Sequence, residues 1–246
     1  MNTNQVKFSS DFNPNFIGSN INEYLKQTEE QFIDIKEGVE KKVIWANQTN
    51  KKTPIAIVYI HGFTASSEEV RPLPDKIAND LNANLFFTRL TGHGRNSKAM
   101  ELCSISSWMK DLHEALEIGS KIGEKVILIS SSTGGTLSLI LGNDPDIAAL
   151  LLFGPNVEIY NPDAKLLTLP WGLYLARAVV KSKYHIMDNI TPKKRNYWTT
   201  RYRLESTIHL QKMVEVSMQT EIFNRLTAPV FMGYYYKSEE EKDEVV

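Results

Sequence analysis

A single cysteine, Cys103, stands in a chain of 246 residues. No internal disulfide can form, so folding does not require an oxidising compartment. Nor does charge of one sign dominate: 28 basic and 29 acidic residues leave a formal net charge of -1. That balance gives no electrostatic reason to expect nucleic acid or an anionic lipid surface as a partner. No apolar run approaches the roughly 18 residues of a membrane span, so stable membrane insertion is not expected. The opening Met-Asn-Thr-Asn-Gln-Val-Lys lacks the apolar core of a signal peptide, which makes a cytoplasmic location the default expectation. Metal-binding spacings are missing too. With no His-x-x-x-His and no cysteine cluster, neither a metal nor a cofactor is expected, and Lys193-Lys194-Arg195 reads as solvated loop.

What is present is ordinary for a globular protein: 42% hydrophobic and 23% charged residues, in a length that fits one domain. The first 30 residues are polar and Asn-rich, and read as a loose arm or a loop laid over the surface. Residues 32–36 and 43–46 alternate apolar and polar around Glu37-Gly38, which predicts an antiparallel hairpin. Residues 55–60 are a continuous apolar run, the pattern of a strand buried on both faces. Strand and helix then alternate. Helices are predicted over 68–81, 104–122 and 133–141, and strands over 85–88, 126–129, 147–153 and 230–236. Such alternation indicates an α/β fold with a doubly wound, mostly parallel sheet.

Residues 154–228 break the rhythm, with no convincing strand and with apolar helical stripes around Trp171, Tyr174, Leu210, Met213 and Val214. The segment is expected to form a helical cap over the carboxyl ends of the strands, although ordinary core packing explains the same stripes. The core then comprises 31–153 and 229–246.

The sharpest chemical signal is Val-Ile-Leu-Ile-Ser130-Ser131-Ser132-Thr133-Gly134-Gly135, where a buried strand runs into a helix through a tight turn. This is the setting of a nucleophile elbow, G-x-S-x-G, whose flanking residues must be small because strand and helix approach closely. With Gly134 as the second small residue, Ser132 is the nucleophile and Ser130 replaces the first glycine. A shift of one would place β-branched Thr133 in the strained position. Ser132 is expected to be the only strained non-glycine residue at a strand-to-helix turn. A phosphate cradle at a helix N-terminus is the competing reading, but no P-loop lysine follows. His61-Gly62-Phe63-Thr64 ends the first buried strand. An elbow of this kind draws one oxyanion-hole amide from the residue after the nucleophile, Thr133, and one from this first loop, Phe63. His61 itself reads as a loop-bracing residue.

Taken with Arg89-Leu90-Thr91-Gly92-His93-Gly94, these motifs resemble the carboxylesterase and monoacylglycerol-lipase branch of the α/β-hydrolases, from about residue 55 to the end. Thr91 stands where that branch usually has proline, and the resemblance makes His93 a structural turn residue. It also implies Asp243 as the triad carboxylate, in a loop after the strand 229–236. The triad histidine would follow Asp243 in chain order, after a further helix and strand beyond Val246. Of the histidines present, His185 and His209 fall in the cap, where one could approach the pocket. The implied activity is hydrolysis of a carboxylic ester, lipid-like or short-chain, through an acyl-enzyme on Ser132. A non-catalytic or truncated α/β-hydrolase-fold protein that binds a hydrophobic ligand is the alternative. Oligomeric state is left open.

Overall fold

The computed structural model describes residues 8, 10–159, 161–188 and 190–241. Six strands form the main sheet: β1 (Lys42–Ile44), β2 (Thr53–Ile60), β3 (Asn84–Phe87), β4 (Gly123–Ser131), β5 (Ile147–Phe153) and the later strand Val230–Gly233. In between lies a separate pair, β6 (Tyr184–Ile186) and β7 (Arg201–Arg203), which makes Val230–Gly233 β8. The order across the main sheet is β1-β3-β2-β4-β5-β8. Only β1 runs antiparallel, against β3. Chain order reverses at β2, with β3 on one side and β4 on the other. The crevice at such a switch point is where open α/β sheets bind ligands.

Period-two alternation builds a core on each face. Ala56, Val58, Ile60, Phe86, Val126, Leu128, Leu150 and Leu152 face one side and share a cluster with Trp108, Met109, Leu112 and Leu137. These last four come from helices α3 (Ile105–Ile122) and α4 (Thr133–Ile140). Ile57, Tyr59, Leu85, Phe87 and Ile129 face the other side, with Ala78 of helix α2 (Leu73–Asp80). The predicted helix over 68–81 thus starts late. Pro72 supplies no N–H and disfavours helical backbone in the residue before it.

Two sequence expectations need correction. Residues 14–29 are not a loose arm. A short 3-10 helix, Pro14–Ile17, leads into helix α1 (Ile21–Glu29), with the Asn20 side chain capping α1 by accepting from the Glu23 amide at 3.2 Å. Ile17, Ile21 and Leu25, four apart, enter the main core. Nor do residues 32–36 form a hairpin with β1. They make turns, and Phe32 lies under the Arg89 and Arg95 guanidiniums while Asp34 pairs with Arg95 at 2.8 Å. Side-chain anchoring of arginines takes the place of strand pairing.

Among the described residues of 154–228 helices predominate, joined by loops and by the β6–β7 pair, which the sequence pattern did not predict. The segment contains a 3-10 helix (Pro162–Thr168), then α5 (Gly172–Val180), α6 (Pro192–Tyr197), α7 (Leu204–Ser217) and α8 (Thr220–Phe223). Helix α7 packs on α3, α4 and α5, with Met213 wholly buried. Among the described residues no helix is long and apolar enough to cross a membrane.

Candidate functional site

Strand β4 ends at Ser131 and helix α4 begins at Thr133, so Ser132 alone makes the turn, at φ 48° and ψ −117°. Backbone of this kind costs a non-glycine residue on the order of 1–3 kcal/mol and persists only where surroundings dictate it. Here they do. The Ser132 amide donates to the Phe153 carbonyl at 3.0 Å, and the Ser132 carbonyl accepts from the Gly135, Thr136 and Asn156 amides at 2.9, 3.2 and 3.1 Å. A Cβ on Gly134 would lie 2.2 Å from the Ile60 carbonyl oxygen, and one on Gly135 would lie 2.7 Å from the Pro155 Cβ. Ser130, in the position usual for glycine, is fully buried, and its hydroxyl lies 2.6 Å from that of Ser138. Ser138 in turn donates to the Gly134 carbonyl at 2.9 Å. Ser130 thus ties strand to helix where glycine would only leave room.

The loop after β2 faces this elbow. His61 is buried; its Nε2 accepts the Leu90 amide at 3.1 Å, which leaves the proton on Nδ1 to donate to the Gly62 carbonyl at 2.9 Å. The bracing role expected for it is what these contacts describe. Burial holds its pKa well below the usual histidine value, with His93 adding to the effect. Thr64, at φ 64°, is a second strained residue in a strand-to-helix connection, so Ser132 is not alone in this. Its carbonyl accepts the Thr199 amide at 2.8 Å, and the Tyr202 ring meets Phe63 edge-on at 5.3 Å. Through these two contacts the 154–228 segment rests on the loop at the carboxyl end of β2. Among the described residues no hydrogen bond engages the Phe63 or the Thr133 amide.

Other predicted residues fall as follows. His93 is a buried turn residue, its Nδ1 3.1 Å from the Thr91 carbonyl, and burial lowers its pKa to about 4. His113 donates to the Met109 carbonyl on its own helix at 2.7 Å. The ring of His185 lies 5.1 Å from that of Tyr202, two rings away from Phe63, whereas His209 sits on α7. Asp243 lies outside the described residues. Among the described residues no group of three or more His, Cys, Asp or Glu could hold a metal ion.

Sequence reasoning missed Glu69. Its carboxylate accepts the Gly62 amide at 2.8 Å and the Tyr59 hydroxyl at 2.9 Å. Burial raises its pKa against those hydrogen bonds. Nothing in Ser66-Ser67-Glu68-Glu69 signals that one acid of the pair turns inward, because its main partner is a backbone amide.

Comparison with known proteins agrees with the fold. A family model described as serine aminopeptidase, S33, matches residues 51–227. A thermostable monoacylglycerol lipase from Bacillus sp. (strain H-257) is 28% identical over 107 residues, which is 43% of this chain and 42% of that protein. The match thus spans about two fifths of the length of that curated relative. The fold resembles a structure of the metagenome-derived lipolytic enzymes LipS and LipT, with TM-score 0.64, 17% identity, and coverage of 80% of this chain and 76% of that one. It also resembles the monoacylglycerol lipase of Paleococcus ferrophilus, with TM-score 0.50, 15% identity, and coverage of 78% and 75%. A soluble variant of monoglyceride lipase from Saccharomyces cerevisiae gives TM-score 0.50 at 15% identity, covering 80% and 73%. At these identities the structural likenesses establish the α/β-hydrolase fold.

Proposed function

The chain belongs to the serine aminopeptidase S33 family of α/β-hydrolases, and from that premise we propose that it hydrolyses carboxylic esters through an acyl-enzyme on Ser132. The observation that carries the reading is the strained Ser132 together with two amides unengaged among the described residues, Phe63 in the loop after β2 and Thr133 after the neighbouring strand β4. In this reading the Ser132 hydroxyl oxygen attacks the ester carbonyl carbon and its proton passes to a histidine oriented by Asp243. The two amides hold the oxyanion. Collapse of the tetrahedral intermediate expels the alcohol, which takes up the proton. Water then repeats the attack, releases the acid and restores the serine. His61 is not read as that base, since both its ring nitrogens are engaged; His93 is buried in its own turn and His113 bonds back to its own helix α3.

A lipid-like acyl group fits the 154–228 segment, which we read as a lid. Helix α5 exposes Tyr174, Leu175 and Val179, its N-cap Trp171 is exposed beside them, and Tyr202 meets the proposed oxyanion loop. The names of the relatives point the same way. The test is to treat the chain with a fluorophosphonate probe and to assay p-nitrophenyl esters of increasing chain length beside an aminoacyl p-nitroanilide. With the triad histidine in place, labelling on Ser132, abolished in Ser132→Ala, with esters preferred, is the expected result. Faster turnover of the anilide would make the protein a peptidase, and labelling that survives Ser132→Ala would remove the acyl-enzyme altogether.

A further inference from the structure

We propose that Glu69 is a positioning residue, which clamps the loop bearing the Phe63 amide against the elbow bearing Ser132. The proposal rests on the reading of Ser132 and Phe63 given above, and adds to it a group that none of the motifs contains.

Three segments meet on one carboxylate. The end of β2 contributes the Tyr59 hydroxyl, at 2.9 Å, and the following loop contributes the Gly62 amide, at 2.8 Å. The side chain of Ser131, the last residue of β4, helps to lower the Glu69 pKa. A Cβ on Gly62 would lie 2.9 Å from the Glu69 Oε1 and 3.1 Å from the Ser132 Cβ. The carboxylate and the Ser132 side chain therefore crowd the same α-carbon, and the loop is pinned between them.

The chemical consequence concerns which amide serves. Gly62 and Phe63 are consecutive, and the Gly62 amide is spent on the Glu69 carboxylate, so the Phe63 amide remains for the substrate. An ionised carboxylate accepting a backbone N–H makes one of the stronger hydrogen bonds available to a loop. The loop needs such an anchor because Thr64 holds positive φ in the very next turn. Burial favours the neutral acid, while the Gly62 and Tyr59 hydrogen bonds, the Ser131 side chain and the charge of Lys194 on α6 oppose it. Loss of that charge weakens the clamp, so the loop is coupled to pH through Glu69.

The experiment uses the full chain and the variants Glu69→Ala, Glu69→Gln and Tyr59→Phe. Two readouts are taken: the rate of fluorophosphonate labelling with the kcat and KM of a p-nitrophenyl ester, and hydrogen exchange of peptides covering 60–68. Misplacement of an oxyanion donor by about 1 Å costs on the order of 100-fold in rate. Glu69→Ala is expected to lower labelling and kcat by about that factor, with KM changed less than about threefold, and to speed exchange in 60–68 but not in β4 peptides. Glu69→Gln, which keeps an acceptor oxygen, should recover part of the rate, and Tyr59→Phe should cost least. Unchanged kcat in Glu69→Ala, or unchanged exchange in 60–68, overturns the proposal. Should Ser132→Ala label as fast as the unmodified chain, the reading of Ser132 falls, and the exchange data alone decide whether Glu69 clamps the loop.

Discussion

Gly134 and Ile60 approach so closely that a Cβ on the glycine would lie 2.2 Å from the isoleucine carbonyl oxygen. Helix α4 therefore begins against the backbone of β2, and the small residue two places after Ser132 is a steric demand of the packing. Backbone cannot yield as a side-chain tip can, so Gly134→Ala must push α4 away from β2. Overpacking of this kind typically costs about 1–3 kcal/mol. The variant should sit at the upper end in urea denaturation, and it should lose Ser132 labelling even where it remains folded.

Thr91 replaces the proline usual in the related turn, and the structure supplies a reason. The Thr91 hydroxyl donates to the Asp111 carboxylate at 3.0 Å, and its amide donates to the same group. Asp111 is buried on α3. Thr91→Pro removes both donors and should cost about 1–3 kcal/mol for the unsatisfied carboxylate. In the double variant Thr91→Pro/Asp111→Ala the demand is gone, so most of that loss should return. A double-mutant cycle in urea reads the coupling. Additive losses would show that the two residues are independent.

The two halves of the proposed site were unequally legible. Ser132 could be placed from sequence because Gly134 and the buried strand 126–129 leave one register for the elbow. Phe63 followed because a His-Gly pair ended the preceding strand. Ile21 and Leu25, by contrast, do sit at helical spacing after the capping Asn20, yet the Asn-rich composition around them masked that signal. The β6–β7 hairpin escaped because strands of three residues carry too little alternation to detect. Glu69 escaped for another reason: a carboxylate that binds a backbone amide leaves no partner residue type to look for.

Acid should weaken the fold through its buried histidines. His93 is held to about 4 by burial, and His61 is also held well below the usual value. In the unfolded chain both accept protons near pH 6.5. Their stabilising effect is therefore complete above that pH and lost as pH falls from 6.5 toward 4. Asp111, which burial pushes up to about 6, takes up a proton first in the folded state and opposes this trend below that value. His93→Gln removes one of the histidine contributions. Between pH 6.5 and 5 its stability should fall by about 2 kcal/mol less than that of the unmodified chain. Equal slopes in urea denaturation would mean that His93 titrates alike in the folded and unfolded chains.

The last prediction concerns the ion pair that fastens α1 to the core. Glu29 and Arg89 meet through two hydrogen bonds, 2.7 and 2.8 Å, with side chains 9% and 4% exposed. Glu29 also accepts the Lys41 amide at 2.9 Å, and Arg89 donates to the His93 carbonyl at 3.1 Å. The pair thus links α1, the segment before β1 and the turn around His93. Burying two charges costs free energy that their attraction only roughly repays, so the pair need not stabilise the fold on balance. Breaking it is another matter. Glu29→Ala leaves the Arg89 guanidinium buried beside a single carbonyl and the Phe32 ring, with no counter-charge. A buried charge left in this way costs about 3–5 kcal/mol. Glu29→Met/Arg89→Met removes both charges while keeping volume, and should be far less harmful than the single change. Urea midpoints of the three chains give the comparison. If Glu29→Ala costs under about 1 kcal/mol, water reaches Arg89 once the glutamate is gone, and α1 is docked by Ile17, Ile21 and Leu25 alone.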